Sequence, residues 1–177
     1  MSEKITNDNL GRADVITYKQ TPKNAIVVIL DNVRSRNNVG SIFRTSDAFL
    51  VEKIILAGIT PQPPHRDIYK TALGATDSVS WEYEEKTLNA VRSLQQKSYK
   101  VYAVEQVEKA KLLHNYNFKK EDKIALVFGS EVGGVDQLVV NECDGYIEIP
   151  QFGTKHSLNI SVSTGVVLWH LVAQILK

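Results

Sequence analysis

AIVVILDNVRSRNNVGSIFRTSDAF, residues 25–49, opens on six consecutive apolar residues, four of them β-branched, and closes on a helical pattern. The apolar run predicts a buried strand. Val39, Ile42, Phe43 and Phe49 lie close to one face at helical spacing, which predicts a helix after a short polar loop. The chain repeats this strand-then-helix pattern. Further strands are predicted at residues 53–59 (KIILAGI), 100–105 (KVYAVE), 123–131 (KIALVFGSE) and 145–150 (GYIEIP), and Leu88, Val91 and Leu94 line another helix. Strands alternating with helices predict an α/β fold whose mostly parallel sheet carries helices on both faces.

In sheets of this kind ligands gather beyond the carboxyl ends of the strands. Three stretches fall there: residues 32–49, the turn GSEVGG at residues 129–134, and IPQFGTKHSLN at residues 149–159. The first sets Arg34, Arg36 and Arg44 and three asparagines against a single acid, Asp47. Arginine stays charged and offers a planar fork of donors, so such a cluster expects phosphate or carboxylate. Asn38 is a candidate N-cap, which places Arg44 about one and a half turns into the helix, and a helix N-terminus itself favours anions. Cap plus amphipathic helix accounts for Asn38, Gly40 and Phe43, but not for the arginines together. In GSEVGG the glycines allow a tight turn or a close ligand approach, while the spacing matches neither GxGxxG nor GxxxxGK. Glu131 can hold an arginine or a ribose hydroxyl; a solvated turn glutamate is the commoner case. Residues 60–79 form a long segment, Pro-rich at its start. Either its His65, Arg66 and Lys70 face a substrate or it forms a short surface helix over residues 68–73, and the two readings weigh equally.

The 177 residues fit one domain, with residues 1–24 as an N-terminal extension. A formal net charge of +1 argues against a broad nucleic-acid-coating surface and leaves room for a local patch. The one cysteine, Cys143, excludes an intramolecular disulfide and reads as a packed thiol in a reducing compartment. With no signal-peptide core and no membrane-length apolar run, a cytoplasmic protein is expected. His65, His114, His156 and His170 match no metal-ligand spacing, so no metal is expected, and no GxSxG elbow or Cys/His pairing suggests a covalent nucleophile. Residues 157–177 read as a helix opened by Ser157 and apolar nearly all round, which belongs in a core or an oligomer interface. A homodimer is expected, a purely internal helix being the alternative.

Taken in order, NNVGSIFRTSDAF (residues 37–49), LVFGSEVGG (126–134) and IPQFGTKHSLNISVS (149–163) closely resemble the three motifs of the TrmH-like (SpoU) branch of the SPOUT RNA methyltransferases. KTALGAT (70–76) and VYAVEQ (101–106) are similar to further family segments, so the resemblance spans residues 26–176. It implies a deep C-terminal trefoil knot, which ordinary connectivity rules would never propose. It also implies an obligate homodimer, S-adenosylmethionine as methyl donor, and a ribose 2′-hydroxyl of RNA as acceptor, with tRNA slightly ahead of rRNA. Carried onto this chain, the catalytic set is Asn38, Arg44, Glu131, Ser157 and Asn159. The cofactor would lie against Val104, Glu105, Gly129, Ile149, Ser157 and Leu158, largely through main chain. Arg34, Arg36, His65 and Arg66 become candidate RNA contacts, since the separate RNA-binding domain or basic extensions of many relatives are not expected here. A catalytically silent RNA-binding module of the same fold is the alternative; a nucleotide-dependent oxidoreductase lacks its phosphate fingerprint.

Overall fold

Successive residues of the first strand bury into opposite cores, and this alternation organises the computed structural model, which describes residues 4–176. Residues 1–3 of the expected extension and residue 177 of the expected last helix lie outside that range. A 3₁₀ turn (Asn7–Leu10) and helix α1 (Val15–Gln20) lead into β1 (Asn24–Asp31) and α2 (Arg36–Ala48). Then come β2 (Val51–Ala57), α3 (Arg66–Ala72), α4 (Ala75–Ser78), β3 (Trp81–Glu84), α5 (Thr87–Gln96), β4 (Lys100–Val104) and the two-residue β5 (Lys111–Leu112). After β6 (Ile124–Phe128), α6 (Gln137–Glu142) and β7 (Gly145–Glu148), helix α7 (Ile160–Ile175) closes the order. The seven strands form one sheet in the order β3-β2-β1-β6-β4-β7-β5, and every strand pairing in it is parallel.

Val28, Leu30, Leu56, Leu126 and Phe128 point to the face covered by α2, α3 and α7 through Ile42, Phe43, Ile68, Leu168 and Leu171. Val27, Ile29, Ile55, Ala103 and Val127 point the other way, under α5 and α6, where Val91, Leu94, Val139, Val140 and Cys143 cover them. This is the period of two expected of strands buried on both sides. Helices therefore flank the sheet as predicted. Burial and the neighbouring acids push the Cys143 thiol up to about 12. A thiol reagent at pH 8 is expected to leave Cys143 unlabelled in the native protein and to label it fully in guanidinium; fast native labelling would contradict the packing.

Three local expectations are corrected. Ser35, not Asn38, caps α2: its hydroxyl accepts the Asn38 backbone N–H at 3.2 Å, so the helix begins at Arg36. Arg44 is then the ninth residue of α2, about 12 Å along the axis from its start. Within residues 60–79 the short helix, one of the two readings weighed, is present, begins two residues earlier than expected as α3 and is followed by α4. Ser157 opens no helix, because Asn159 caps α7 by accepting the Ser161 N–H at 2.9 Å. The strand predicted to Glu131 stops at Phe128, where the glycine turn begins.

Candidate active site

Asp31 stands at the carboxyl end of β1, only 1% exposed, and ties together the loops that follow three strands. One carboxylate oxygen accepts from Thr87 Oγ1 at 2.5 Å and Asn32 Nδ2 at 2.9 Å; the other accepts the Asp136 backbone N–H at 2.9 Å. A buried carboxylate is tolerated only when satisfied in this way. Asp31→Ala is therefore expected to cost about 3 kcal/mol, read as a lowered urea midpoint; an unchanged midpoint would contradict its placement as a hub. Sequence inspection passed over Asp31, although an acid ending a buried strand was a usable signal.

Beyond β6 the chain turns back on itself through residues 129–134. A Cβ on Gly129 would lie 1.9 Å from the Gly134 carbonyl carbon, so only glycine allows this approach. Gly134, at φ +64°, faces the Glu105 carboxylate, which accepts the Val135 N–H at 3.0 Å and the Gln106 N–H at 2.9 Å. From the far side, Gln106 Nε2 donates to the His156 carbonyl at 2.9 Å. The loops after β4, β6 and β7 thereby enclose a cleft of about 640 Å³. Val104, Glu105, Gly129, Ile149, Ser157 and Leu158, the residues expected around a cofactor, all line it, as do Glu131 and Asn159.

Side chains from all three motifs meet at its edge. Asn159 Nδ2 donates to Asn38 Oδ1 at 3.2 Å, and Asn38 Nδ2 donates to Glu131 Oε1 at 2.8 Å. The Asn159 amide is oriented in turn by Ser161, whose backbone N–H and hydroxyl both donate to Oδ1. Each such bond is worth about 0.5–1.5 kcal/mol, so the relay's main effect is to fix directions. Glu131 is thus neither free nor paired with arginine; it receives an amide.

The Arg44 side chain, exposed on α2, makes no hydrogen bond or ion pair among the described residues, and the same holds for the side chains of Arg34, Arg36 and Arg66. Two of them sit at the positive end of α2, where a cation costs about 0.3–1 kcal/mol. An anionic partner offsets that cost. Arg44 lies too far along the helix to share this site, and His65 is occupied: its Nδ1 accepts the Asp67 N–H at 3.1 Å and caps α3. Among the described residues no group of three His, Cys, Asp or Glu side chains is placed to hold a metal ion, and no helix is long and apolar enough to cross a membrane.

Residues 25–169 match the family model described as the SpoU rRNA methylase family. The chain belongs to this family. It is 31% identical over 150 residues to the 23S rRNA (guanosine-2'-O-)-methyltransferase RlmB of Xanthomonas axonopodis pv. citri, covering 85% of this chain and 59% of that protein. The protein of the same name from Blochmanniella floridana is 30% identical over 177 residues, 98% of this chain and 68% of its own. This SpoU-family chain thus spans 59% and 68% of the length of these two relatives. Its fold matches the crystal structure of an AdoMet-bound rRNA methyltransferase from Sinorhizobium meliloti with a TM-score of 0.80 and 25% identity, over 90% of this chain and 61% of that one.

Proposed function

We propose that this SpoU-family chain is a single-domain, S-adenosylmethionine-dependent methyltransferase acting on a ribose 2′-hydroxyl of RNA. The observation that carries the proposal is the Asn159–Asn38–Glu131 relay, which joins the three motifs at the mouth of one cleft. The expected order of substrates is reversed: relatives named for 23S rRNA favour rRNA over tRNA. An RNA substrate and a single reduced cysteine favour the cytoplasm. The trefoil knot belongs to the same proposal, supported by the way residues 149–159 close over the loops after β4 and β6.

The cleft suits the cofactor. Its volume of about 640 Å³ is in the range of about 300–1,000 Å³ common for small-molecule sites. Val104, Ile149 and Leu158 offer apolar walls for a flat base, and the Gly129 backbone is bare of side chain. The Glu105 carboxylate is already engaged by two backbone amides, so it shapes the wall and leaves contact with the cofactor to its neighbours. Bound there, S-adenosylmethionine supplies a methyl group already activated by its sulfonium.

The protein's own task is to hold the 2′-oxygen in line and help remove its proton. Arginine, with a pKa above about 12, is a poor base. Arg44 does not line the cleft; its assigned part is to grip the phosphate beside the reacting ribose with its fork and polarise the hydroxyl, while the proton leaves to that phosphate or to water. Incubation with labelled S-adenosylmethionine and RNA fractions, followed by nucleoside mapping, is expected to place label on a 2′-O-methylated nucleoside of rRNA. Cofactor binding without label in any RNA would favour the silent RNA-binding module.

A homodimer completes the proposal. Helix α7 buries Val167, Leu168 and Leu171 but leaves Val162, Val166 and Trp169 51%, 39% and 56% exposed along one side. Phe49 extends this apolar strip, its ring centroid 6.0 Å from that of Trp169. An exposed contiguous apolar strip marks an interaction surface. In light scattering the wild type is expected as a dimer and Trp169→Asp as a monomer; a monomeric wild type would remove this part of the proposal.

A further inference from the structure

Helix α3 carries an outward stripe that neither the cleft nor the apolar strip on α7 uses. Arg66, Tyr69 and Lys70 recur at i, i+3 and i+4, so they share one face, and Leu73, in the left-handed conformation, caps the helix just beyond them. All four are exposed, Tyr69 by 45% and Leu73 by 66%, while Ile68 and Ala72 on the opposite face are buried. Burial of that inner face explains why α3 forms; it gives no reason for an aromatic ring to stand in water between two cations.

The stripe and the cleft share a wall. Thr71 Oγ1 donates to the Asn37 carbonyl at 2.9 Å, and a Cβ on Gly40 would lie 2.3 Å from the Ile68 carbonyl, so α3 packs hard against the first turns of α2. The next residue, Asn38, sends its side chain the other way, to Glu131 at 2.8 Å. Arg44 follows Gly40 by four residues and so lies on the α3 side of α2. Arg34, Arg36, Arg44, Arg66 and Lys70 make no ion pair among the described residues, and Asp67, the acid within the helix, lies 3.8 Å from His65.

We propose that this face of α3 is a stacking platform for single-stranded RNA flanking the reacting nucleotide, with a base on Tyr69 and backbone phosphates on Arg66 and Lys70. An exposed aromatic ring between unpaired cations matches the chemistry of single-strand binding, in which bases stack and phosphates meet fixed charge. Charge complementarity favours RNA over a second protein as the occupant. The inference rests on the RNA-methyltransferase reading and adds the path the strand takes.

The test compares wild type, Tyr69→Ala, Tyr69→Phe and Arg66→Ala/Lys70→Ala on 23S rRNA isolated from cells lacking the gene. Tyr69→Ala is expected to raise the KM for RNA about tenfold, with kcat and S-adenosylmethionine binding unchanged, and Tyr69→Phe to restore wild-type KM. The double variant is expected to flatten the dependence of log KM on log salt by about 1.4, two phosphates at about 0.7 each. A KM unchanged in Tyr69→Ala, in a wild type that methylates the RNA, overturns the platform. So does a change of oligomeric state in place of a change in KM, which would make the stripe a protein contact. A wild type that methylates no RNA would instead remove the reading beneath it.

Discussion

Arg44→Lys is expected to lower turnover on RNA by roughly 10²-fold or more, with S-adenosylmethionine binding and thermal stability close to wild type. The Arg44 side chain is solvent-exposed and makes no bond to another described residue, so its replacement breaks nothing in the fold. Surface changes of this kind stay within about 0.5 kcal/mol. Any large loss must then arise in RNA binding or at the reacting centre. Lysine keeps the charge but replaces the planar, two-pronged donor by a point charge on a flexible stem. Single-turnover methylation followed by nucleoside analysis, alongside Tm and equilibrium dialysis of labelled cofactor, separates chemistry from binding. Near-full turnover in the lysine variant would sink the idea that the fork grips phosphate and polarises the hydroxyl.

Gly129→Ala is expected to abolish cofactor binding and lower stability by about 2–3 kcal/mol. The added methyl would lie 1.9 Å from the Gly134 carbonyl carbon, 2.1 Å from the Val135 nitrogen and 2.2 Å from the Gly134 oxygen. These are all backbone atoms, so no rotamer change can relieve the clash. The turn must open, and with it the Glu105 anchor on Val135 and one wall of the cleft. Gly133→Ala is the control, since its nearest neighbour, Ser130 Oγ, lies at an ordinary 3.5 Å. Urea denaturation and dialysis against labelled S-adenosylmethionine measure both effects. Wild-type binding by Gly129→Ala would show that the turn does not build the site.

Much of this was legible locally. The run at residues 25–30, the strand entering GSEVGG and the pattern of Ile42 and Phe43 are signals of period two or 3.6 that depend on near neighbours. The misplaced cap of α2 shows where such signals fail. Ser35 and Asn38 are both good capping residues three positions apart, and nothing nearby chooses between them. The choice is made across the chain: the Asn38 amide is taken by Glu131 and Asn159, which leaves Ser35 to bind the free N–H. Strands β3 and β5, at four and two residues, are too short to carry a period and are strands only because parallel neighbours complete their hydrogen bonds.

The amino-acid sequence by itself determined the longer strands and helices and the parallel α/β class, because these are written in short-range pattern, while the cleft-lining residues, chemically plain in themselves, were reached only through the resemblance of the three motifs to a known family. The tertiary structure alone decided the strand order, the Asp31 hub, the relay joining residues 38, 131 and 159, and the outward faces of α3 and α7. Those features rest on contacts between residues up to 121 positions apart and on which side of a helix its neighbours leave uncovered. A hydrogen bond is satisfied, and a ring is buried, by whatever the completed packing brings within reach.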